Sequence, residues 1–265
     1  MCAGISSRFG GKIKQFAKVG PNGETLIEYS LNQALKAGFS RIIFIVGNKT
    51  EKEFKEKFGN KYKNIPIDYA LQYYDEEKRD KPWGTTDALC SIKDLINGPF
   101  VVCNGDDIYG EESFKILFNH LKENEIGAAI GYKLKEAIPK KGKVTRGIMK
   151  IDEQNNLVSI KETFDIEMDK LNDLNLKEDD LCSMNIFALH PESLSLLNKI
   201  LEKTKRENTR DRKKECLLPE DIGKLITEKK IKIKIYPATE EWTGITSPED
   251  EELVRQKLKS TLSNN

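Results

Sequence analysis

The first fifteen residues, MCAGISSRFGGKIKQ, combine the residue types that bind phosphate. Glycines and cations alternate here over a short distance: Gly4, Arg8, Gly10, Gly11, Lys12 and Lys14. Glycine lets backbone amides turn toward an anion without interference from a Cβ atom, and the amides that begin a following helix also favour negative charge. Arginine adds a fork of donors and lysine adds a point charge. The stretch therefore predicts a loop that holds phosphate groups.

Two common phosphate-binding motifs do not fit this loop. Lys12 is followed by Ile13, where a P-loop has serine or threonine. The G-x-G-x-x-G spacing of a dinucleotide-binding turn is also missing. The alternative interpretation is a flexible amino-terminal tail. We rank it lower because a tail seldom carries this arrangement directly before an apolar helix.

The elements that must position the loop alternate in type through the first half of the chain. The segments ETLIEYSLNQALKAG, TEKEFKEKFG and TTDALCSIKDLI have helical periodicity, and the first ends at Gly38, a good helix stop. The runs RIIFIV, IDYALQ and FVVCNGDD are typical of strands, and RIIFIV is apolar throughout, as in a strand buried on both faces. Alternation of this kind predicts a parallel sheet between helices.

The second half contains more strand and less helix. IGAAIGY, RGIMKID, NLVSIKE and LCSMNIFAL read as strands of a mixed sheet that covers one side of the first half. Two helices, PESLSLLNKILEKTKRE and LLPEDIGKLITEKK, and the strand IKIKIYPA follow, and Pro248 is expected to begin a last charged helix.

Composition narrows the possible functions. Lys and Arg number 44 and Asp and Glu 43, so the net charge of +1 predicts no broad attraction to nucleic acid or to an anionic membrane. No apolar run approaches the roughly twenty residues that cross a bilayer, and no secretory signal is visible. The five cysteines are scattered and never spaced as CxxC. Reduced thiols and a cytoplasmic location are expected, without a zinc site.

The segment Ala3 to Gln15 resembles the signature of sugar-1-phosphate nucleotidylyltransferases, which reads roughly A-G-x-G-S-R-F-G-G-x-K-Q. Ser6 replaces the second glycine of that pattern, and one extra residue separates Gly11 from the Lys-Gln pair. The insertion leaves either Lys12 or Lys14 as the essential lysine, and we choose Lys14 because Gln15 follows it.

Further segments resemble the same family in the same order along most of the chain: LQYYDEEKRDKPWGTTDAL, VVCNGDDIYG, TRGIMKIDEQNNLVSIKET and CSMNIFALHPESL. The resemblance implies catalytic roles for Arg8, Lys14 and Asp106, metal binding by Asp106 and Asp107, nucleotide binding by Ala3, Gly4, Ser6, Ser7, Gln15, Gln72, Gly84 and Thr85, and sugar binding by Gly147, Glu162 and Asn185. Gln72 would pair with the base edge. Simpler interpretations remain: the two aspartates could only end a turn, Glu162 could be a surface residue, and Asn185 could only join backbone groups.

The resemblance also implies a fold and a reaction. The expected fold is α/β, a Rossmann-like mixed and mostly parallel sheet flanked by helices, with a smaller mixed-β sugar-binding lobe. One domain would span residues 1–265, with a nucleotide-binding half to about residue 125 and a sugar-binding half from about 126. The expected substrates are a nucleoside triphosphate and a sugar 1-phosphate, with Mg²⁺ as cofactor and a homo-oligomer as an open possibility.

Two features depart from the family pattern. Many relatives have an acidic residue near the segment EWTGITSPED, where Gly244 stands here, so either Asp107 completes the metal site, or one ligand suffices, or activity is impaired. The family has an apolar strand of about five residues before the loop, whereas three residues precede Gly4 here. The first strand is therefore expected to be truncated, through either a misassigned start or a clipped chain. If this sequence is the whole protein, the loop is expected to be poorly anchored and the stability reduced.

Two alternative functions stay open on the sequence. One is a cytidylyltransferase that acts on another phosphorylated acceptor, such as an alditol or choline phosphate. The other is a catalytically silent homologue that binds a nucleotide sugar and regulates a partner, an idea motivated by Ser6, the inserted residue and Gly244.

Overall fold

The computed structural model describes residues 1–4, 10, 13–139, 142–245 and 250–263. Its helices are α1 (Leu26–Ala37), α2 (Glu51–Phe58), α3 (Thr85–Cys90), α4 (Glu111–Glu123), α5 (Leu134–Ala137), α6 (Pro191–Glu207), α7 (Leu218–Thr227) and α8 (Asp250–Ser263). Its strands are β1 (Ile42–Gly47), β2 (Lys61–Tyr62), β3 (Ile65–Gln72), β4 (Phe100–Val102), β5 (Asp107–Ile108), β6 (Gly127–Lys133), β7 (Val144–Ile151), β8 (Leu157–Ile166), β9 (Leu181–Leu189), β10 (Ile233–Pro237) and β11 (Thr243–Gly244).

The helix that follows the amino-terminal segment begins and ends where its sequence predicts. Thr25 and Glu28 form a reciprocal capping box, in which the Thr25 amide donates to the Glu28 carboxylate at 2.9 Å. Gly38 ends α1 in the left-handed conformation at φ 111°, which glycine adopts at no steric cost. These local signals define both ends of α1.

The described strands form three sheets, and the largest of them, with six strands, includes strands from both halves of the chain. β1 pairs with β3 in parallel, and β6 pairs with β10 in parallel. β9 is antiparallel to β4, β6 and β7, and β7 is antiparallel to β8. Because β4 belongs to the first half and β9 to the second, the two halves share their hydrogen bonding. The predicted class, a mixed sheet flanked by helices, is confirmed.

The amino-terminal residues lie between β1 and the chain that leaves β4. Cys2 forms a parallel bridge with Val46, and its amide donates to the carbonyl of Ile45 at 2.6 Å. On the other side the Met1 ammonium donates to the carbonyl of Cys103 at 2.7 Å, and Gly105 donates to the carbonyl of Met1 at 2.9 Å. Although short, this segment is therefore bonded on both edges, and it holds the start of the loop against the sheet.

One predicted helix is shorter than expected. The pattern TTDALCSIKDLI predicts a helix to residue 96, but α3 ends at Cys90. The Ser91 hydroxyl donates to the carbonyl of Ala88 at 2.7 Å, and the chain continues in tighter turns with i-to-i+3 hydrogen bonds. Serine competes for backbone acceptors in this way, which weakens helix continuation. Pro248, expected to begin the last helix, lies outside the described residues. No helix within the described ranges is long and apolar enough to cross a membrane.

Candidate active site

The lysine and the aspartate that sequence reasoning selected contact each other. Lys14 begins the short 3₁₀ turn Lys14–Phe16, and Asp106 follows β4 across the Asn104–Gly105 turn. Nζ of Lys14 forms an ion pair with Oδ2 of Asp106, and the two side chains are 22% and 20% exposed. The pair is thus partly open to a ligand, and it joins a cation from the first segment to a carboxylate in the turn that follows β4.

Much of the predicted phosphate loop lies outside the described residues. The predicted residues that lie outside the described residues are Ser6, Ser7, Arg8 and the alternative lysine, Lys12. Ala3 and Gly4 are described, and the Ala3 carbonyl packs closely against Gly47 at the end of β1. Gln15 is 1% exposed, and its Oε1 is buried without a hydrogen-bond partner among the described residues. Such an acceptor needs a donor from elsewhere, since buried polar atoms are rarely left unpaired.

Asp107 lies behind the ion pair in a buried polar network. Its carboxylate accepts from the side-chain amide of Asn104 at 2.9 Å and lies 3.2 Å from the hydroxyl of Tyr109. That hydroxyl also lies 2.8 Å from the carbonyl of Met184, which accepts from it. Burial and the neighbouring Asp106 charge raise the pKa of Asp107 to about 7. Burial beside a second carboxylate therefore disfavours the charged form of Asp107, and a cation would relieve that cost.

Gly244 explains how Asp107 fits. Gly244 of β11 pairs with Asp107 of β5. A Cβ atom at Gly244 would lie 2.5 Å from Oδ1 of Asp107 and would also overlap the ring of Trp242. A side chain at position 244 would therefore displace the Asp107 carboxylate. The Asp107 carboxylate occupies the space that an acidic side chain at position 244 would need, and glycine at 244 leaves that space free.

The three residues expected to contact a sugar lie on neighbouring strands. Gly147 of β7 pairs with Glu162 of β8 on one side and with Ser183 of β9 on the other. Asn185 follows on β9 with φ at 60°, and its backbone amide donates to the Ser183 hydroxyl at 3.1 Å. The side-chain Oδ1 of Asn185 is buried without a partner among the described residues. Glu162, Gly147 and Asn185, together called the polar row, therefore lie on three adjacent strands, with Asn185 two residues beyond the Ser183 that pairs with Gly147.

The carboxyl group of Glu162 is tuned by its surroundings. Burial raises its pKa to about 7, the charge of Glu220 at the start of α7 acts in the same direction, and the Arg146 guanidinium opposes both. Arg146 is anchored by hydrogen bonds to the Ala137 carbonyl, at 3.1 Å from Nε and 2.7 Å from Nη2. Its guanidinium also lies 5.5 Å from the centroid of the Trp242 ring. Near neutral pH the Glu162 carboxyl therefore changes between donor and acceptor.

This tuning predicts a pH dependence that one variant can isolate. In the sugar-binding role predicted for it, an ionised Glu162 would accept hydrogen bonds from sugar hydroxyls, so kcat/KM for a sugar phosphate should fall as the pH drops through about 7. Glu220→Gln removes the charge that raises the pKa of Glu162, and should shift the acid limb to lower pH. A substrate phosphate that titrates near pH 6 would affect wild type and variant equally. Coincident limbs in the two proteins would contradict the assignment.

A hydrogen bond joins two of the predicted base-binding residues, Gln72 and Gly84. Nε2 of Gln72 donates to the Gly84 carbonyl and to the Asp87 carboxylate, each at 2.9 Å. Thr85, the first residue of α3, accepts at its hydroxyl from the Leu218 amide at 2.8 Å. The amide nitrogen of Gln72 thus stabilises the turn at Gly84. Contacts of Gln72, Gly84 and Thr85 with a nucleotide base stay a prediction.

Replacing Gly84 with alanine is expected to destabilise the protein by about 2 kcal/mol or more. Gly84 has φ at 96°, and a Cβ atom there would lie 2.5 Å from the backbone oxygen of Cys216. The positive φ alone costs about 1–2 kcal/mol for a residue with a Cβ atom. The contacting atoms of Cys216 belong to its backbone, which cannot move aside as easily as a flexible side chain. Thermal unfolding should show the loss, with Gly98→Ala as control because nothing lies within 4 Å of its Cβ position. Equal Tm values would contradict this account.

Comparison with known proteins places the chain in a family. The family described as nucleotidyl transferase matches residues 11–216. The chain belongs to this nucleotidyl transferase family. The match spans the segment of the Lys14–Asp106 pair, both strands that carry Gly147 and Glu162, and Asn185. No curated protein matches the sequence significantly.

Two solved structures share the fold of this nucleotidyl transferase. One is a protein from Bacillus anthracis assigned as a glucose-1-phosphate thymidylyltransferase and solved with sucrose, at 14% identity and a TM-score of 0.73, covering 97% of this chain and 93% of that one. The other is a UDP-glucose pyrophosphorylase in complex with UDP-glucose, at 16% identity and a TM-score of 0.62, covering 100% and 97%. Agreement over nearly the full length of both confirms the predicted fold class.

Sequence reasoning did not select several residues that shape the site of this nucleotidyl transferase. Tyr109 joins Asp107 to β9, and Arg146 and Glu220 set the charge around Glu162. Arg146 directly precedes the selected Gly147, and Glu220 lies in the acidic first turn of α7. Their positions in the sequence could therefore have marked them as candidates. No pattern in the chain indicates that Glu220 faces Glu162, because that proximity comes from the packing of α7 on β8.

Proposed function

We propose that this nucleotidyl transferase condenses a nucleoside triphosphate with a sugar 1-phosphate to give a nucleotide sugar and pyrophosphate. A phosphate oxygen of the sugar phosphate would form a bond to the α-phosphorus, while the bond from that phosphorus to the pyrophosphate oxygen breaks. The protein then needs to position both substrates and neutralise their charge. The observation that carries the proposal is the Lys14–Asp106 pair, which the Asp107–Tyr109–Met184 network joins to the strand of Asn185.

Lys14 is proposed as the cation of the reaction centre. Two negatively charged phosphates must approach each other, and their repulsion opposes the reaction. Nζ of Lys14 is already at the partly exposed edge of the site, where it neutralises Asp106. When a triphosphate binds, the ammonium can exchange this carboxylate for phosphate oxygens without a large movement. Arg8 and the glycines of the loop would hold the more distant phosphates.

Asp106 and Asp107 are proposed to hold Mg²⁺. Carboxylate oxygens are ligands this ion prefers, and it commonly takes one or two of them together with substrate phosphates. The raised pKa of Asp107, caused by burial and by Asp106, fits a carboxylate pair that lacks full compensation. Within the described ranges no cluster of three or more acidic, cysteine or histidine side chains could hold a metal alone. When bound, Mg²⁺ would neutralise the triphosphate and the leaving pyrophosphate.

The second half of the chain is proposed to bind the acceptor sugar. The row formed by Glu162, Gly147 and Asn185 offers a carboxylate, a backbone segment and an unpaired amide oxygen. Sugar hydroxyls are donors that match these acceptors. A Cβ atom at Gly147 would lie 3.2 Å from Pro219, so this strand and α7 are closely packed. Rigid packing behind the row would keep the acceptors in a fixed geometry.

A substrate panel tests the proposal. Pyrophosphate release should require both a nucleoside triphosphate and a hexose 1-phosphate, and should cease when Mg²⁺ is chelated. Turnover only with CTP and an alditol phosphate or choline phosphate would instead identify the alternative transferase. Binding of nucleotide sugars without any turnover would support a regulatory homologue and contradict the proposal.

A further inference from the structure

Gln72 ends β3 beside the start of the predicted phosphate loop. It lies opposite Gly47, the last residue of β1, in the parallel pairing of the two strands. The Ala3 carbonyl lies close to Gly47, where an added Cβ atom would be 2.9 Å from it. Ligands of α/β sheets bind at the carboxyl ends of parallel strands, and Gln72 stands at such an end. It is 4% exposed, so its surroundings set the orientation of its amide.

Both groups that contact the nitrogen of the Gln72 amide are hydrogen-bond acceptors. Nε2 of Gln72 donates to the Gly84 carbonyl and to Oδ2 of Asp87, each at 2.9 Å. A backbone carbonyl and a carboxylate cannot donate, so the nitrogen of the amide must face them, and the two contacts use both of its hydrogens. The group left for a ligand is Oε1, an acceptor, which forms no hydrogen bond to any described residue.

Lys205 holds Asp87 in this arrangement. Asp87 is the third residue of α3 and is buried, and Nζ of Lys205, in the last turn of α6, lies 2.7 Å from its Oδ1. One carboxylate oxygen therefore binds the lysine while the other binds Gln72. A buried carboxylate is costly unless it is paired, and the lysine supplies the pairing charge. A chain of contacts thus runs from α6 through Asp87 to the amide of Gln72.

We propose that Asp87, held by Lys205, is a positioning residue that fixes Gln72 as an acceptor toward the nucleotide base. This rests on the proposed function, which requires a nucleoside triphosphate at the site. Uracil, thymine, guanine and hypoxanthine have an N–H donor in the middle of the pairing edge, whereas cytosine and adenine have an acceptor nitrogen there. An acceptor fixed opposite that position selects the first group of bases, because two facing acceptors would leave both unpaired.

Two pairs of triphosphates test the wild-type chain, since the members of each pair have the same ring system and differ at this position: UTP with CTP, and ITP with ATP. Binding is measured with Mg²⁺ and without a sugar phosphate. In the pair that binds more tightly, the member with the ring N–H should bind at least about 30-fold more tightly than the other. Equal affinities, or a preference for CTP or ATP, would overturn the inference and leave the proposed reaction intact. If none of the four binds, the proposed function fails as well.

Asp87→Asn and a second substitution separate positioning from structural support. Asparagine has one oxygen, for which Lys205 and Gln72 compete. If the lysine takes it, the asparagine nitrogen faces Gln72, and neither orientation of the glutamine amide suits both this donor and the Gly84 carbonyl. The two affinities should then agree within about threefold. Adding Lys205→Met frees the oxygen for Gln72, so the double variant should return to within about threefold of the wild-type preference.

Lys203→Met is the matched control. Lys203 lies on the same helix but forms an exposed ion pair with Glu207, so the variant should keep the wild-type preference. An unchanged preference in Asp87→Asn would overturn the inference. So would a double variant that discriminates no better than Asp87→Asn, because removing a second side chain does not restore lost structural support.

Discussion

Lys14→Met is expected to lower the rate of pyrophosphate release by about 10²–10³-fold at saturating substrates, the magnitude typical of losing one preorganised donor to developing charge. Methionine keeps the length of the side chain but removes the cation that lies on Asp106. The fold should survive, because a partly exposed ion pair contributes at most about 1 kcal/mol to stability. Thermal unfolding and the steady-state rate, measured on the same preparation, check both parts.

Two further lysines make this prediction specific. Lys18→Met is the matched control, since Lys18 is exposed in the same segment and its backbone carbonyl, not its side chain, accepts from Arg255. It should keep the wild-type rate. Lys12→Met tests the alternative essential lysine. Loss of activity in Lys12→Met together with a normal rate in Lys14→Met would reverse the assignment.

Asp106→Asn is expected to reduce turnover by at least about 10²-fold and to raise the Mg²⁺ concentration needed for half-maximal rate. The amide keeps the shape but offers one neutral oxygen to a hard cation that prefers carboxylates. Asp94→Asn is the control, because Asp94 is exposed after α3. A wild-type Mg²⁺ dependence in Asp106→Asn would show that the metal binds elsewhere.

The same measurement on Asp107→Asn decides between the alternatives for the second ligand. If Asp107 completes the site, its variant should resemble Asp106→Asn in Mg²⁺ dependence. If one protein ligand suffices, Asp107→Asn should keep most of its activity, since asparagine can still accept from Asn104 and Tyr109. The Asp107 carboxylate occupies the space that a side chain at position 244 would take, and this favours the first outcome.

Much of the fold follows from local sequence. The capping box at Thr25, the glycine at 38 and the apolar run of β1 each specify an element by short-range physics, and the structure has those elements in the predicted places. The shortened α3 shows the limit of this reasoning. Its apolar spacing continues past Cys90, but the Ser91 hydroxyl donates to a backbone carbonyl, and the carbonyl of Leu95 accepts from Arg41, which precedes β1.

The anchoring of the amino-terminal segment could not be predicted. Three residues before Gly4 are too few to predict a strand from the pattern alone, and no pattern in them predicts how residues 1 and 2 are bonded. Instead, Met1 and Cys2 are bonded to both neighbouring chains, and Gly105 leaves room for the buried Cys2 thiol. Sequence patterns report what a segment prefers by itself, whereas these bonds depend on edges supplied by β1 and β4.

The sequence by itself determined the kind of chemistry, because glycine, lysine and aspartate in this order limit what the chain can bind. It also determined the alternation of strands and helices. Only the tertiary structure decided that Lys14 meets Asp106, that Asp107 occupies the space beside Gly244, and that Glu220 raises the pKa of Glu162. Charge interactions depend on distance and burial in three dimensions, and neither quantity is contained in the spacing of residues along the chain.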